Sequence, residues 1–344
     1  MTESEYQARL LEHVHAQSRW ETMAAAMPVE HLDAEEIGLT VDTAIANGRL
    51  SDPKTRELIP LLRGLNLLDS SDRLLNAGAV LFGKTPVLQR EYPQSRLRMG
   101  RFRGGTKSEF VDNRQIVGNI FTLYQRAQEF LLEHIQIAGK IEPGKFERTD
   151  VPGYPLDALR EALANALCHR DYTEGGGAVD LAIYDDRIEI VSSGPLHFGL
   201  TVENLLAEHQ SRPWNPVVAD VLYKRGIIES WGRGTLKMVE STRQVGLVSP
   251  EFETSSHSFT VRFRSQEYMP PTRVSHDLTP LHRQILACLQ TLGPSSSREV
   301  VAALPDSVEP KTVLRNLQSL REFGLVTMSG ERRGAKWSIV LGSS

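Results

Sequence analysis

The stretch YPLDALREALANALCHRDY, residues 154–172, decides how this chain is read. Its middle, LDALREALANAL, is a strong helix signal, and Glu161 and Asn165 stand four residues apart, which stacks them on one face of that helix. A carboxylate and an amide oxygen presented together can activate a water and ligate a hydrated magnesium that carries phosphates. Downstream, Gly232-Arg233-Gly234 opens another helix, a place where backbone N–H groups and the helix dipole can hold phosphate. Alone, each signal is weak, because both spacings are common by chance.

Around this centre the segments alternate in type. AVDLAIYDD (178–186) and RIEIVSS (187–193) read as two strands joined by a tight Asp-rich turn, and NPVVADVLYKRG (215–226) as a helix. SHSFTVRFRS (256–265) reads as a closing strand. Helices interleaved with strands in this order predict an α+β sandwich, one sheet backed by helices. Upstream, Asp33 is placed to cap a helix ending at Gly48, and residues 54–64 suit a short amphipathic helix. DRLLNAGAVLFG (72–83) reads as a turn, a strand and a glycine stop, and SRLRMGRFRG (95–104) as a strand. A long helix is expected from about Asp112 to Ile137. The Gly- and Pro-containing run 138–153 marks a boundary, so a lead-in region over 1–145 and a central domain over 146–265 are expected.

Residues 266–277, with two prolines, read as a linker, and 278–341 as a small separate domain. Its three short helices (279–292, 296–304, 309–324) and two strands around GERRG follow the winged helix-turn-helix pattern. Val313, Leu317, Leu320 and Phe323 would face its core. Lys311, Thr312, Arg315 and Asn316 are left outward on the third helix, and Arg332, Arg333 and Lys336 lie at the hairpin, a set suited to double-stranded DNA. Residues 278–344 hold eight Lys and Arg against five Asp and Glu, a net of +3 inside a chain of net charge −4. That asymmetry is what phosphate binding needs.

The runs REALANALCHRDY (160–172), DDRIEIVSSGPL (185–196) and NPVVADVLYKRGIIESWGRGTLKM (215–238) together resemble the GHKL-type ATP-binding module of gyrase, histidine kinases and MutL. More narrowly, with LLNAGAVLFGKTP (74–86) and the RFRGG strand, the chain over about 50–265 resembles transcriptional regulators related to the C-terminal part of the helicase RecG. The resemblance implies ATP and Mg2+ as cofactors, with Glu161 as general base and Asn165 as magnesium ligand. It places Gly194 beside the adenine, residues 195–215 in a lid, and Gly232, Arg233 and Gly234 at the phosphates. His169-Arg170-Asp171 matches a family signature, read here as a hydrogen-bonded helix terminus that orders the following glycines. Many relatives carry an N-terminal Schlafen-like (AlbA-like) domain; this chain is expected to begin at or after its end.

Two departures stand out. The superfamily reads the adenine amino group with an Asp in Asp-x-Gly-x-Gly, and the narrower family often has Asn-Pro-Gly-Gly. Here the residues are Ser192-Ser193-Gly194-Pro195. Where relatives have Arg-Asn-Pro, the chain has Trp214-Asn215-Pro216.

A P-loop helicase is not expected, and a protein kinase is not either, since Gly176 stands where a kinase catalytic loop needs Asn. The scattered histidines, His13 and His15 included, form no metal-spaced pair. Arg96, Arg98, Arg101 and Arg103 read as a solvated strand face. With two distant cysteines, no apolar run near ~20 residues and no signal peptide, a cytoplasmic chain is expected. The expectation is a homodimeric ATP- and DNA-binding transcriptional regulator, with slow hydrolysis through Glu161. The alternatives are an ATPase driving a DNA-processing or phage-defence step, and a degenerate nucleotide fold kept as a dimerisation scaffold.

Overall fold

The computed structural model describes residues 3–135, 137–141, 148–229, 232–265, 279–304, 308–322, 325–329 and 336–339. Contacts divide the chain into two units, Met1–Gln266 and Glu267–Ser344. The boundary expected at 145/146 lies within the first, and the linker expected over 266–277 lies outside the described residues.

The first unit opens with helices α1 (Glu3–Gln17), α2 (Ala34–Ala46), α3 (Leu58–Gly64), α4 (Asn76–Phe82) and α5 (Thr85–Glu91). Asp33 caps α2, its carboxylate accepting the Glu35 and Glu36 backbone N–H groups at 3.1 Å. Two expectations are corrected here. The run Asn76–Phe82 is a helix, not a strand, and all seven residues are buried. A short apolar run carries no face to distinguish the two states, and Gly78 tips the balance toward close packing, since a Cβ there would meet the Leu74 Cδ1 at 2.6 Å. The long helix from Asp112 does not exist either. Residues Phe110–Val117 form strand β2 beside β1 (Arg96–Phe102), and helix α6 runs only from Ile120 to His134. Gly118-Asn119 makes the break, with the Asn119 side chain accepting the Thr122 N–H at 2.8 Å.

After the paired strands β3 (Ile137–Ile141) and β4 (Arg148–Pro152) come α7 (Leu156–His169), β5 (Val179–Ile183) and β6 (Arg187–Ser193). The unit is completed by α8 (Val202–Leu205), α9 (Pro216–Lys224), α10 (Gly234–Gln244), β7 (Glu251–Thr254) and β8 (Ser258–Arg264). The sheet order is β2-β1-β5-β6-β8-β7, with β1 and β5 parallel and every other pair antiparallel.

Strand alternation gives this sheet two unlike faces. Leu97, Met99, Leu181, Ile188, Ile190, Val261 and Phe263 belong to one buried cluster that runs from Met27 to Phe263 and takes in α6, α7 and α10. The other face is a lattice of ion pairs: Arg98 with Asp180 at 2.6 Å, Arg187 and Arg262 both with Glu189 at 2.8 Å, and Arg262 with Glu251 at 3.1 Å. Arg101 and Arg103 of the expected basic row likewise meet Asp185 and Glu109. The row is less solvated than expected: the Arg101 side chain is only 16% exposed, and Arg96 Nε is buried.

The second unit comprises α11 (Pro280–Leu292), α12 (Ser297–Ala302), α13 (Pro310–Glu322) and the antiparallel pair β9 (Val326–Ser329) and β10 (Lys336–Ile339). Ile285, Leu289, Val300, Val313, Leu317, Leu320 and Trp337 form its core. Phe323, expected there, lies outside the described residues.

Candidate functional site

Helix α7 presents Glu161 and Asn165 to a cavity of about 160 Å3, and the Asn165 side-chain N–H donates to Glu161 Oε1 at 3.1 Å. With the amide nitrogen so engaged, the carbonyl oxygen of Asn165 remains as its free acceptor. Burial raises the Glu161 carboxyl above its ordinary value, opposed by the Asn165 hydrogen bond and by Lys237. A carboxylate tuned in that direction is a better proton acceptor near neutral pH than an exposed one.

The opposite wall is the start of α10. A Cβ built on Gly234 would lie 2.0 Å from Glu161 Oε1 and 3.4 Å from Asn165 Nδ2, so a side chain there would force the Glu161 carboxylate to move. Gly232 adopts φ +68°, and a Cβ there would strike the His209 carbonyl oxygen at 2.3 Å. Both glycines line the cavity, as does Thr235, whose buried hydroxyl has no hydrogen-bond partner. The N-cap of α10 supplies no side-chain acceptor, leaving the first-turn N–H groups for other acceptors. Arg233 is exposed; it borders a neighbouring depression with Glu208, Glu229 and Gly232 rather than the cavity.

The far end of the cavity is apolar: Ile190, Pro195, Leu196, Phe252, Phe259 and Val261, with Gly194 at φ +96° and Ser192 beside it. Gly194 sits against Asp171, to whose Cβ its own Cβ would come within 3.1 Å. This brings Glu161, Asn165, Gly194, Gly232 and Gly234 to one cavity from three separate stretches of chain.

Several of its residues were not singled out in the sequence. Trp214 is buried between two imidazoles, with His15 at 3.4 Å and 8° on one side and His197 at 3.5 Å and 11° on the other. His15 Nε2 also bonds the Trp214 carbonyl oxygen at 2.8 Å, and the Phe198 N–H donates to the Glu12 carboxylate. Helix α1 thus grips the 195–215 loop at both ends. Burial pushes His197 down to about 4, and His169 likewise to about 4, so both are neutral at pH 7. His197 Nε2 has no partner. The only available signal was the aromatic Trp214 inside a polar loop; partners some 200 residues away in sequence leave no local trace.

The His169-Arg170-Asp171 terminus is a structural joint. Asp171 Oδ1 accepts the Thr173 N–H at 2.8 Å and its hydroxyl at 2.6 Å, and buried Asn215 donates to the carbonyl oxygens of Cys168 and Arg170 at 2.8 and 2.9 Å. Asn215-Pro216, the part of the motif that matches the relatives, therefore ties the end of the loop to the end of α7. Glu21, fully buried, accepts the Val217 and Val218 N–H groups at 2.9 and 3.1 Å and so caps α9.

In the second unit Lys311 and Arg315 are exposed on α13 and Thr312 and Asn316 are half-buried. The Asn316 side chain donates back to the Thr312 carbonyl oxygen at 2.7 Å. Lys336 is exposed at the start of β10; Arg332 and Arg333 lie outside the described residues.

Residues 176–263 match the family model described as "Putative ATP-dependent DNA helicase recG C-terminal", an ATPase-type domain. The matched span takes in β5–β8 and Gly232–Gly234, while Glu161 and Asn165 stand just upstream of it. No curated protein matches the chain. Among solved structures, the DIP2311 protein from Corynebacterium diphtheriae is similar with a TM-score of 0.57 at 20% identity, over 97% of this chain and 67% of that one. At that identity the likeness concerns the fold alone. No helix among the described residues is long and apolar enough to cross a membrane. Within the first unit, a six-stranded sheet backed by helices, residues 176–263 are therefore similar to an ATPase-type domain family.

Proposed function

We propose that the chain is an ATP-binding, DNA-binding transcriptional regulator, homodimeric and cytoplasmic, whose nucleotide site sets the DNA affinity of its C-terminal unit. The observation that carries the nucleotide half is the Glu161–Asn165–Gly234 contact, 3.1 Å between the side chains with no room for a Cβ opposite. The residues fit a magnesium–triphosphate. Asn165 offers a carbonyl oxygen, Thr235 an unpartnered buried hydroxyl, Gly232 and Gly234 a cradle closed to any side chain, and α10 an uncapped N-terminus. Mg2+ would be held through Asn165 and would neutralise phosphate charge. Glu161 would take the proton of an attacking water, its raised affinity for protons suiting that role. The apolar end formed by Ile190, Phe252 and Val261 would hold the base, with Ser192 and Gly194 in place of the usual acid.

About 160 Å3 is below the roughly 300–1,000 Å3 of ordinary ligand pockets, so a nucleotide would enter with outward movement of the 195–215 loop. Because that loop is clasped by α1, nucleotide binding and the α1 contact compete, and the ligand shifts the balance only by its differential affinity for the two arrangements. Calorimetric titration with ATP and MgCl2 tests the site directly. Binding that survives Glu161→Ala while phosphate release is lost supports the reading; absence of binding in the wild type overturns it.

The DNA half rests on the order of α11–α13, β9 and β10, read as a winged helix, and on exposed Lys311, Arg315 and Lys336. Fluorescence anisotropy with duplex DNA at several salt concentrations tests it: each of Lys311→Ala and Arg315→Ala lowers the salt slope by about 1 if it contacts phosphate.

The scaffold reading is favoured by one observation, the stacking of Trp214 and His197 within the cavity lining. It predicts no ATP binding at millimolar nucleotide.

A further inference from the structure

Two carboxylates, those of Glu161 and Glu229, line the cavity, and Arg212 is the one lysine or arginine among its described lining residues. A magnesium-bound triphosphate keeps a net negative charge, so holding it beside two acids calls for a cation at the phosphates in addition to the α10 N-terminus. Lys237 is engaged elsewhere, its ammonium 3.4 Å from the Glu229 carboxylate. Arg212 is exposed and has no carboxylate partner among the described residues; its guanidinium lies 4.8 Å from the centre of the half-buried Phe198 ring. A cation resting on an exposed ring face is held only weakly.

The neighbours of Arg212 fix where it can act. Residues 209–211 lie directly on Gly232, where a Cβ would meet the His209 carbonyl oxygen at 2.3 Å and the Ser211 nitrogen at 2.9 Å. Arg212 therefore follows the stretch of loop that touches the start of α10, away from the apolar end formed by Ile190, Phe252 and Val261. Trp214, two residues on, is clamped between His15 and His197, and Asn215 is bonded to the end of α7. Phe198 itself is under strain: its φ is +59°, left-handed backbone that an aromatic residue rarely adopts, and its N–H donates to the Glu12 carboxylate of α1. Once α1 lets go, Phe198 is free to return to an ordinary φ, which takes the ring from beneath the guanidinium.

We propose that Arg212 is a phosphate-binding residue of the nucleotide site, parked on Phe198 while α1 holds the loop and turned onto the phosphates beyond the first when the loop moves. Its planar fork of donors matches two phosphate oxygens at once, which the point charge of a lysine does not. The inference rests on the nucleotide reading of the cavity and adds to it the residue that senses the length of the phosphate chain.

The test is calorimetric titration of the full chain with ATP, ADP and AMP, each with MgCl2. Wild-type affinity should rise from AMP to ATP. Arg212→Gln should weaken ATP at least about ten-fold and leave AMP within about three-fold, a split by phosphate number that a merely structural role would not produce. Arg212→Lys, which keeps the charge without the fork, should fall between the two. Phe198→Gly removes the ring at a φ that glycine adopts freely, and should tighten ATP; adding Arg212→Gln to it should abolish that gain. Melting curves show that each variant is folded. A wild type that binds none of the three nucleotides overturns the nucleotide reading and this inference together. A wild type that binds ATP, with Arg212→Gln binding it equally well or losing AMP by the same factor, overturns the inference alone, as does a Phe198→Gly gain that persists without Arg212.

Discussion

Gly234→Ala is the sharpest perturbation of the candidate site, because one methyl group is added where the structure has no space. The new Cβ would lie 2.0 Å from Glu161 Oε1 and 3.0 Å from its carboxyl carbon. Cβ contacts under 3.0 Å are not found, so the oxygen must retreat by at least about 1 Å, and the 3.1 Å bond from Asn165 breaks or stretches. The fold itself is expected to survive. Alanine gains roughly 1 kcal/mol over glycine in a helix, against an overpacking cost of about 1–3 kcal/mol. The consequence falls on chemistry: a displacement near 1 Å in a positioned group costs on the order of 100-fold in rate. Phosphate release at saturating ATP and magnesium, with nucleotide binding measured separately, is the assay. Shortening the acid to Asp removes one methylene and part of the clash. The Gly234→Ala, Glu161→Asp double variant should therefore lose less than the two single losses combined. A folded Gly234→Ala protein with turnover within threefold of the wild type would refute the claim that Glu161 works from this position.

Four further outcomes follow from the same geometry. Because burial raises the Glu161 carboxyl above 4.5, base-assisted turnover should climb with pH through a midpoint above that value, and a pH–rate profile of Glu161→Gln should be flat near background. The stability sign runs the other way: an acid whose folded value is raised supports the fold below its unfolded value and loses that support as pH rises, so melting of Glu161→Gln should gain on the wild type from acidic to neutral pH. His15→Ala removes the stack on Trp214 and the 2.8 Å bond to its carbonyl oxygen; hydrogen exchange over 195–215 should quicken several-fold while the β5 and β6 amides are unchanged. Arg170 is fully buried with its three side-chain nitrogens unpartnered, packed 4.9 Å over the Tyr172 ring, and Arg170→Met should melt at or above the wild-type temperature; a fall equivalent to more than about 2 kcal/mol would show that the charge is satisfied after all.

The legible parts of this protein are those where one element carries its own signal. Glu161 and Asn165 lie on a single helix, so their shared face could be read from a spacing of four, and Gly232 and Gly234 mark a helix start by residue type alone. Asp33 was legible for the same reason, as a cap beside its helix. What failed was decided by partners elsewhere. Residues 76–82 are apolar throughout and buried on every side, so periodicity had nothing to distinguish helix from strand. Residues 110–117 look helical only until β1 is placed beside them; the Gly118-Asn119 break was the overlooked clue. The stack of His15, Trp214 and His197 joins α1 to the loop of the cavity, and no window of sequence contains both.

That last contact changes what the N-terminal segment is for. Glu12 binds the Phe198 N–H, His15 covers Trp214, and Glu21 caps α9 directly after Asn215-Pro216, so three residues in a ten-residue span hold the loop at its start, near its end and just past it. Asn215 in turn holds the end of α7, the helix that presents Glu161 and Asn165. Any ligand that moves the loop must therefore displace α1 or strain the α7 terminus. The buried Asn215 bonds and the fully buried Glu21 cap are the costlier to break, whereas α1 keeps Tyr6, Leu10 and Val14 exposed and loses less on leaving. The first movement on nucleotide entry is accordingly expected at α1, which makes the segment least suggestive of chemistry in the sequence the one that sets access to the site.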